Sequence, residues 1–108
     1  MSNKLPKPHK NAIIYEDSKL YACLANFPIV RGHTVVVWKD NVEDLHLLSR
    51  SDYEYLMDKV NMIRDAILDT LNLEKVYLLY MDEVKQVHWH LVPRYEEMGM
   101  DLLNKKPE

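Results

Sequence analysis

Gln86, His88 and His90 alternate with Val87, Trp89 and Leu91 in the run Gln86-Val87-His88-Trp89-His90-Leu91-Val92-Pro93-Arg94. Such alternation marks a half-buried β-strand, whose side chains point to opposite faces with period two. Two imidazoles and an amide then share one face, while the apolar residues anchor the other. That platform suits an anion such as phosphate, and the same rings offer lone pairs to a metal. A third imidazole, His33, follows Gly32 at the head of Thr34-Val35-Val36-Val37-Trp38, the most β-prone run in the chain. Three histidines and Gln86 on one face would cradle a phosphate. A metal is the weaker use, because His88 and His90 leave a tetrahedral site under-filled unless His33 joins them.

The composition narrows the classes of function. A chain of 108 residues, 47% apolar and with two glycines, reads as one compact domain. Its formal net charge of −3 is spread along the sequence, which argues against a general nucleic-acid binder. Cys23 is the single cysteine, so neither an intrachain disulfide nor a cysteine-rich zinc site is expected, and a reducing cytoplasm is the expected compartment. No run is long and apolar enough for a membrane span or a signal peptide.

The elements that must position the three rings follow from the patterning. Residues 1–12, with prolines among basic side chains, read as an extended arm. Residues 13–25 hold two apolar runs around Glu16-Asp17-Ser18-Lys19, a β-hairpin pattern, and Asn26-Phe27-Pro28 breaks the chain before the strand over 32–38. Residues 40–50 read as a loop with a short helical turn. Ser51-Asp52-Tyr53-Glu54 has the capping-box pattern, with Ser51 as N-cap, and Leu56, Val60, Ile63 and Ile67 recur at helical spacing, predicting a helix over 52–71. Strands over 75–81 and 86–94 complete a domain over 13–95, and 96–108 is a polar tail. The expected class is α+β, a five-stranded antiparallel sheet with one long helix on one face.

With those elements in order, Gly32-His33-Thr34-Val35-Val36-Val37, the helix and Gln86–Arg94 resemble the histidine-triad (HIT) family of nucleotide hydrolases and transferases over most of the chain. The resemblance implies that His88 is the catalytic nucleophile, attacking the α-phosphate of a nucleotide and forming a nucleotidyl-imidazole intermediate. It implies that the other ring nitrogen of His88 is held by the backbone carbonyl of the first triad position, here residue 86. His33 and His90 are implied to bind phosphate, with Gln86 beside them, and Asn26 and Phe27 to line the nucleotide pocket. A purine nucleotide or nucleotide conjugate is the implied ligand, without metal or cofactor. A homodimer joined into a continuous ten-stranded sheet is the implied assembly.

Three positions depart from that pattern. Gln86 stands where the first triad histidine is expected. Ala25 stands eight residues before His33, where relatives often carry an aspartate for the ribose hydroxyls. Met81-Asp82-Glu83-Val84-Lys85 is shorter than the usual loop before the triad and lacks its glycines and its Asn or Ser. These departures leave a second reading, a nucleotide-binding module that keeps the pocket but turns over little.

Overall fold

The computed structural model describes residues 5, 7–81 and 84–96. The expected tail beyond residue 96, most of the first six arm residues and Asp82-Glu83 of the last turn lie outside the described residues. The order of elements is β1 (Ile13–Glu16), β2 (Leu20–Leu24), β3 (Thr34–Trp38), α1 (Arg50–Leu71), β4 (Val76–Leu79) and β5 (His88–Pro93), with short 3-10 turns at Lys10–Ala12 and Leu45–Leu47. The strands form one antiparallel sheet in the order β1-β2-β3-β5-β4, with α1 across one face. This is the five-stranded α+β arrangement expected from the patterning. No helix among the described residues is long and apolar enough to cross a membrane.

The helix begins two residues earlier than its capping box predicts. Ser49, not Ser51, is the N-cap, with its hydroxyl accepting from the Asp52 amide at 3.2 Å. Both serines have a polar partner at hand, but an N-cap at Ser49 lets its carbonyl accept from the Tyr53 amide at 2.8 Å, adding helical bonds that a start at Ser51 would forgo. Asp52 then lies in the first turn, where a negative charge meets the positive end of the helix dipole. At the other end Asn72 adopts left-handed geometry, φ 53°, and the Leu73 amide reaches back to the Leu68 carbonyl at 3.0 Å, closing the last turn. Leu56, Val60, Ile63 and Ile67, the stripe read from the sequence, are the buried face of the helix.

The hairpin of β1 and β2 is closed by one carboxylate. Asp17 Oδ1 accepts from the Lys19 and Leu20 amides at 2.8 and 3.0 Å, and Oδ2 from the Tyr15 and Tyr55 hydroxyls at 2.9 and 2.5 Å. Since Tyr55 belongs to α1, the turn is bonded directly to the helix. Burial alone would raise the Asp17 pKa, but the Tyr55 hydroxyl, the two amides and the Tyr15 hydroxyl outweigh it and hold the carboxyl well below the usual range. The same contact pushes the Tyr55 phenol up to about 12.

All three later strands are shorter than the patterning suggests, because their ends bond elsewhere. The His33 amide turns back to the Val30 carbonyl at 3.1 Å, so β3 starts at Thr34. Val87 donates to the Val42 carbonyl at 3.1 Å, ahead of β5. Tyr80 leaves β4 to accept from the Leu45 amide through its hydroxyl at 2.9 Å. On the helix side Leu20, Ala22, Val36, Trp38, Val87 and Leu91 pack against the helical stripe. On the opposite side Cys23, Val35 and Val37 form a second, smaller cluster.

Gly32 is where the turn before β3 meets the end of the helix. Its φ is +87°, and a Cβ there would lie 3.0 Å from Leu71 Cδ1 and 3.3 Å from Pro93 Cγ. Gly32→Ala is therefore expected to destabilise the protein by about 1–2 kcal/mol from backbone strain alone, more if Leu71 fails to shift. Urea unfolding monitored by tryptophan fluorescence checks it, since a midpoint equal to that of the parent contradicts the tight approach.

Candidate functional site

The antiparallel pairing of β3 with β5 sets the site. Val37 lies opposite His88 and Val35 opposite His90, so both histidines stand on the sheet face turned away from α1. His33, one residue before β3, comes to the same face. Its ring is held from two sides, the Ile29 amide donating to Nδ1 at 3.1 Å and Nε2 lying 2.9 Å from His90 Nδ1. His33 and His88 are each only 4% exposed.

These bonds decide which nitrogen of each ring carries the proton. Burial pushes the His33 imidazole down to about 4, and burial together with the neighbouring His33 and His88 rings does the same to His90. Both are neutral at pH 7. The backbone N–H of Ile29 donates, so Nδ1 of His33 holds the lone pair and Nε2 the proton. His33 Nε2 then donates to His90 Nδ1, which leaves His90 with its proton on Nε2. His88 is oriented the other way round. Its Nδ1 donates to the Gln86 main-chain carbonyl at 2.8 Å, which leaves Nε2 as the nitrogen where a lone pair can stand. The ring centroids of His88 and His90 are 5.1 Å apart, nearly edge to face. One ring thus offers a lone pair beside another that offers an N–H, the pairing that phosphoryl chemistry uses.

A cavity of about 230 Å³ adjoins the rings. His33 and His90 border it; Cys23, Val35 and Val37 belong to its lining; Asn26 and Phe27 form part of its rim. Phe27 is 76% exposed there. The cavity therefore joins four of the six expected site residues, His33, His90, Asn26 and Phe27. His88 stands beside His90 rather than in the lining, and the Gln86 side chain is turned to the backbone. Gln86 Oε1 accepts from the Leu5 amide and Nε2 donates to the Trp38 carbonyl, each at 3.1 Å. Ala25 borders the cavity with no polar side chain.

Two contributions escape a reading of the sequence. Leu5 and Pro8, in a segment with the composition of a loose arm, line the cavity. The hydrogen bond between His33 and His90 spans 57 positions and depends on strand register, which no local pattern states. Val35 and Val37 could have been recognised as cavity residues from their alternation with Val36, once β3 was paired with β5. Among the described residues no group of three or more His, Cys, Asp or Glu has the geometry to hold a metal ion.

The buried neutral rings carry a pH signature. Their folded pKa values near 4 lie below the ordinary 6.5, so the unfolded chain binds protons that the native state refuses across that interval. Stability is expected to hold above pH 6.5 and to fall as the pH drops from 6.5 towards 4, by a few kcal/mol in all. Urea midpoints at pH 7.5, 6 and 4.5 measure it, and the slope should flatten in a His33→Gln, His90→Gln double variant. A wild-type midpoint independent of pH over this range would contradict the buried neutral pair.

With the fold and the three rings in place, relatives can be compared. The model of the family described as HIT domain matches residues 7–97. An uncharacterised HIT-like protein of Saccharolobus solfataricus is 29% identical over 91 residues, which cover 79% of this chain and 66% of that protein, so the chain spans just under two thirds of it. The crystal structure of a HIT family protein from Bacillus anthracis is similar with a TM-score of 0.73 at 29% identity, over 80% of this chain and 65% of that one. A hypothetical histidine triad nucleotide-binding protein from Sulfolobus tokodaii gives a TM-score of 0.73 at 25% identity, over 81% of this chain and 62% of that one. A family match across the hairpin, the helix and the histidine-bearing strand, joined to a shared fold, leads to one conclusion: the chain belongs to the HIT domain family.

Proposed function

We propose that this protein is a HIT-type nucleotide hydrolase, a nucleoside phosphoramidase or nucleotidyl hydrolase acting through His88. The observation that carries the reading is the 2.8 Å bond from His88 Nδ1 to the Gln86 carbonyl. It fixes the tautomer with its lone pair on Nε2, as a nucleophilic imidazole requires. In this reading Nε2 attacks the α-phosphorus, the bond from phosphorus to the leaving group breaks, and the leaving group takes a proton from solvent as it departs. Water then attacks the phosphorus and gives up one proton to solvent, the N–P bond breaks with its electron pair returning to Nε2, and a nucleoside monophosphate leaves. His90, with its proton on Nε2, and His33 behind it stabilise charge on the phosphate oxygens.

Gln86 occupies the first triad position in this reading. A main-chain carbonyl is all that His88 takes from that residue, so the exchange of histidine for glutamine keeps the orienting contact. With its side-chain amide held by Leu5 and Trp38, Gln86 serves the site through the carbonyl that orients His88 and not as a phosphate ligand. In this reading Asn26 and Phe27, on the cavity rim, flank the nucleoside of a purine nucleotide or nucleotide conjugate; the Sulfolobus tokodaii relative is described as nucleotide-binding. A homodimer fits a sheet that ends at β4, along which two copies would pair into ten strands.

The second reading, a binding module with little turnover, draws on the connection between β4 and β5. From Tyr80 to Val87 it holds no glycine, asparagine or serine to meet a leaving group. Incubation with an adenosine phosphoramidate separates the two. AMP release, with a nucleotidyl adduct on His88 by mass spectrometry, is the expected result. His88→Asn should remove both, and His90→Asn should slow release by about 10²–10³-fold. AMP binding without release or adduct would leave the binding module standing. Release undiminished in His88→Asn would overturn the assignment of the nucleophile.

A further inference from the structure

We propose that Gln86 is a positioning residue whose side-chain amide latches the N-terminal arm across the cavity, so that Leu5 and Pro8 act as a strap that sets the ligand space. The inference rests on reading the cavity as the ligand site, but not on turnover. It starts from the two bonds of one amide. Oε1 accepts from the backbone of the arm at Leu5, and Nε2 donates to the backbone at Trp38, the end of β3. A glutamine carries acceptor and donor side by side on one planar group, so it bridges two backbone segments much as a neighbouring strand would. A histidine at this position could form one such bridge only as a neutral ring, and protonation would remove its acceptor. The amide does not titrate, so it keeps both bonds wherever the fold itself holds.

The latch has something to hold. Leu5 packs on Cys23, Val35 and Val37, the apolar cluster of the face that carries the histidines. Leu5 and Pro8 are both in the cavity lining, with His33 and His90 on the same cavity. Leu5 lies at the Gln86 end of the face, and the chain rejoins the sheet at Ile13, which pairs with Cys23 at the β1 edge. With the arm in place the cavity measures about 230 Å³. That is below the roughly 300–1,000 Å³ of ordinary small-molecule sites. Releasing Leu5 would extend the open space over Val35 and Val37. One residue therefore serves two ends, its carbonyl orienting His88 and its amide deciding how much room lies beside that ring.

Cys23, the single cysteine, is 7% exposed beneath this strap and reports on it directly. Burial raises its thiol pKa, which keeps it slow to react in the latched state. The test is the rate of Cys23 modification by a small reagent, iodoacetamide, and a bulky one, fluorescein maleimide, on the full chain. Parent protein should react slowly with both and discriminate against the bulky reagent. Gln86→Ala and Leu5→Ala should each raise the bulky-to-small rate ratio, about tenfold where both amide bonds are lost. The double variant should gain little beyond Gln86→Ala alone, since both changes open one latch. Gln86→Glu, which keeps the acceptor for Leu5 but loses the donor to Trp38, should fall between. A ratio unchanged in folded Gln86→Ala, or two independent effects that multiply in the double variant, overturns the strap. Because the readout is a thiol and not AMP release, failure here is distinct from failure of the hydrolase reading.

Discussion

Four cross-strand pairs between β3 and β5 hold the molecule to its chemistry: Thr34 with Leu91, Val35 with His90, Val36 with Trp89, and Val37 with His88. β3 is buried on both faces and β5 is buried except at half-buried Trp89 and His90, so each face has its own reason to keep the pairing. Val36 and Leu91 are needed beneath the helix, and Val35 and Val37 are needed under the cavity. A slip of one residue would turn His88 and His90 into the apolar interior and bring Trp89 and Leu91 out to the cavity face. The hydrogen bond between His33 and His90 also depends on this register, because it joins the turn before β3 to the middle of β5. The meeting of the three rings on one face is downstream of that pairing.

Burying imidazoles in an apolar face carries a desolvation cost, and the structure meets it with bonds rather than with charge. His33 has a partner on each ring nitrogen, and His88 has the carbonyl two residues before it. Neutral rings with paired nitrogens cost far less to bury than imidazolium ions would. The result is an ordered sequence of donors and acceptors, from the Ile29 amide through His33 to His90, assembled entirely from backbone and ring nitrogens. Asp17 shows the same economy at the other end of the sheet, where one carboxylate satisfies two amides and two hydroxyls and ties the hairpin to the helix.

Much of this was legible in the residues. The alternation about His88 and His90 announced the strand, and the spacing of Leu56, Val60, Ile63 and Ile67 announced the buried stripe of the helix. Where the reading fell short, the missing information was non-local. Ser49 and Ser51 both satisfy the local rule for an N-cap, and the difference lies in bonds that only the folded chain counts. Strand ends at Val87 and Tyr80 were misjudged by a residue or more because their backbone and hydroxyl groups bond to Val42 and Leu45, far away in sequence. Leu5 could not have been placed in the cavity at all. Nothing around it has a period, and its anchor is a side chain 81 positions distant.

The cavity is unevenly built, and this shapes how such a protein can change. Its floor, Cys23, Val35 and Val37, is also the packed core of that face, so enlarging or polarising it there would cost stability. Its rim at Asn26 and Phe27 is exposed and has little packing to lose. Substitutions that reshape the cavity are thus tolerated at the rim and penalised at the floor. A few solvent-facing positions are free to change its mouth, while the sheet that carries the histidines stays nearly fixed.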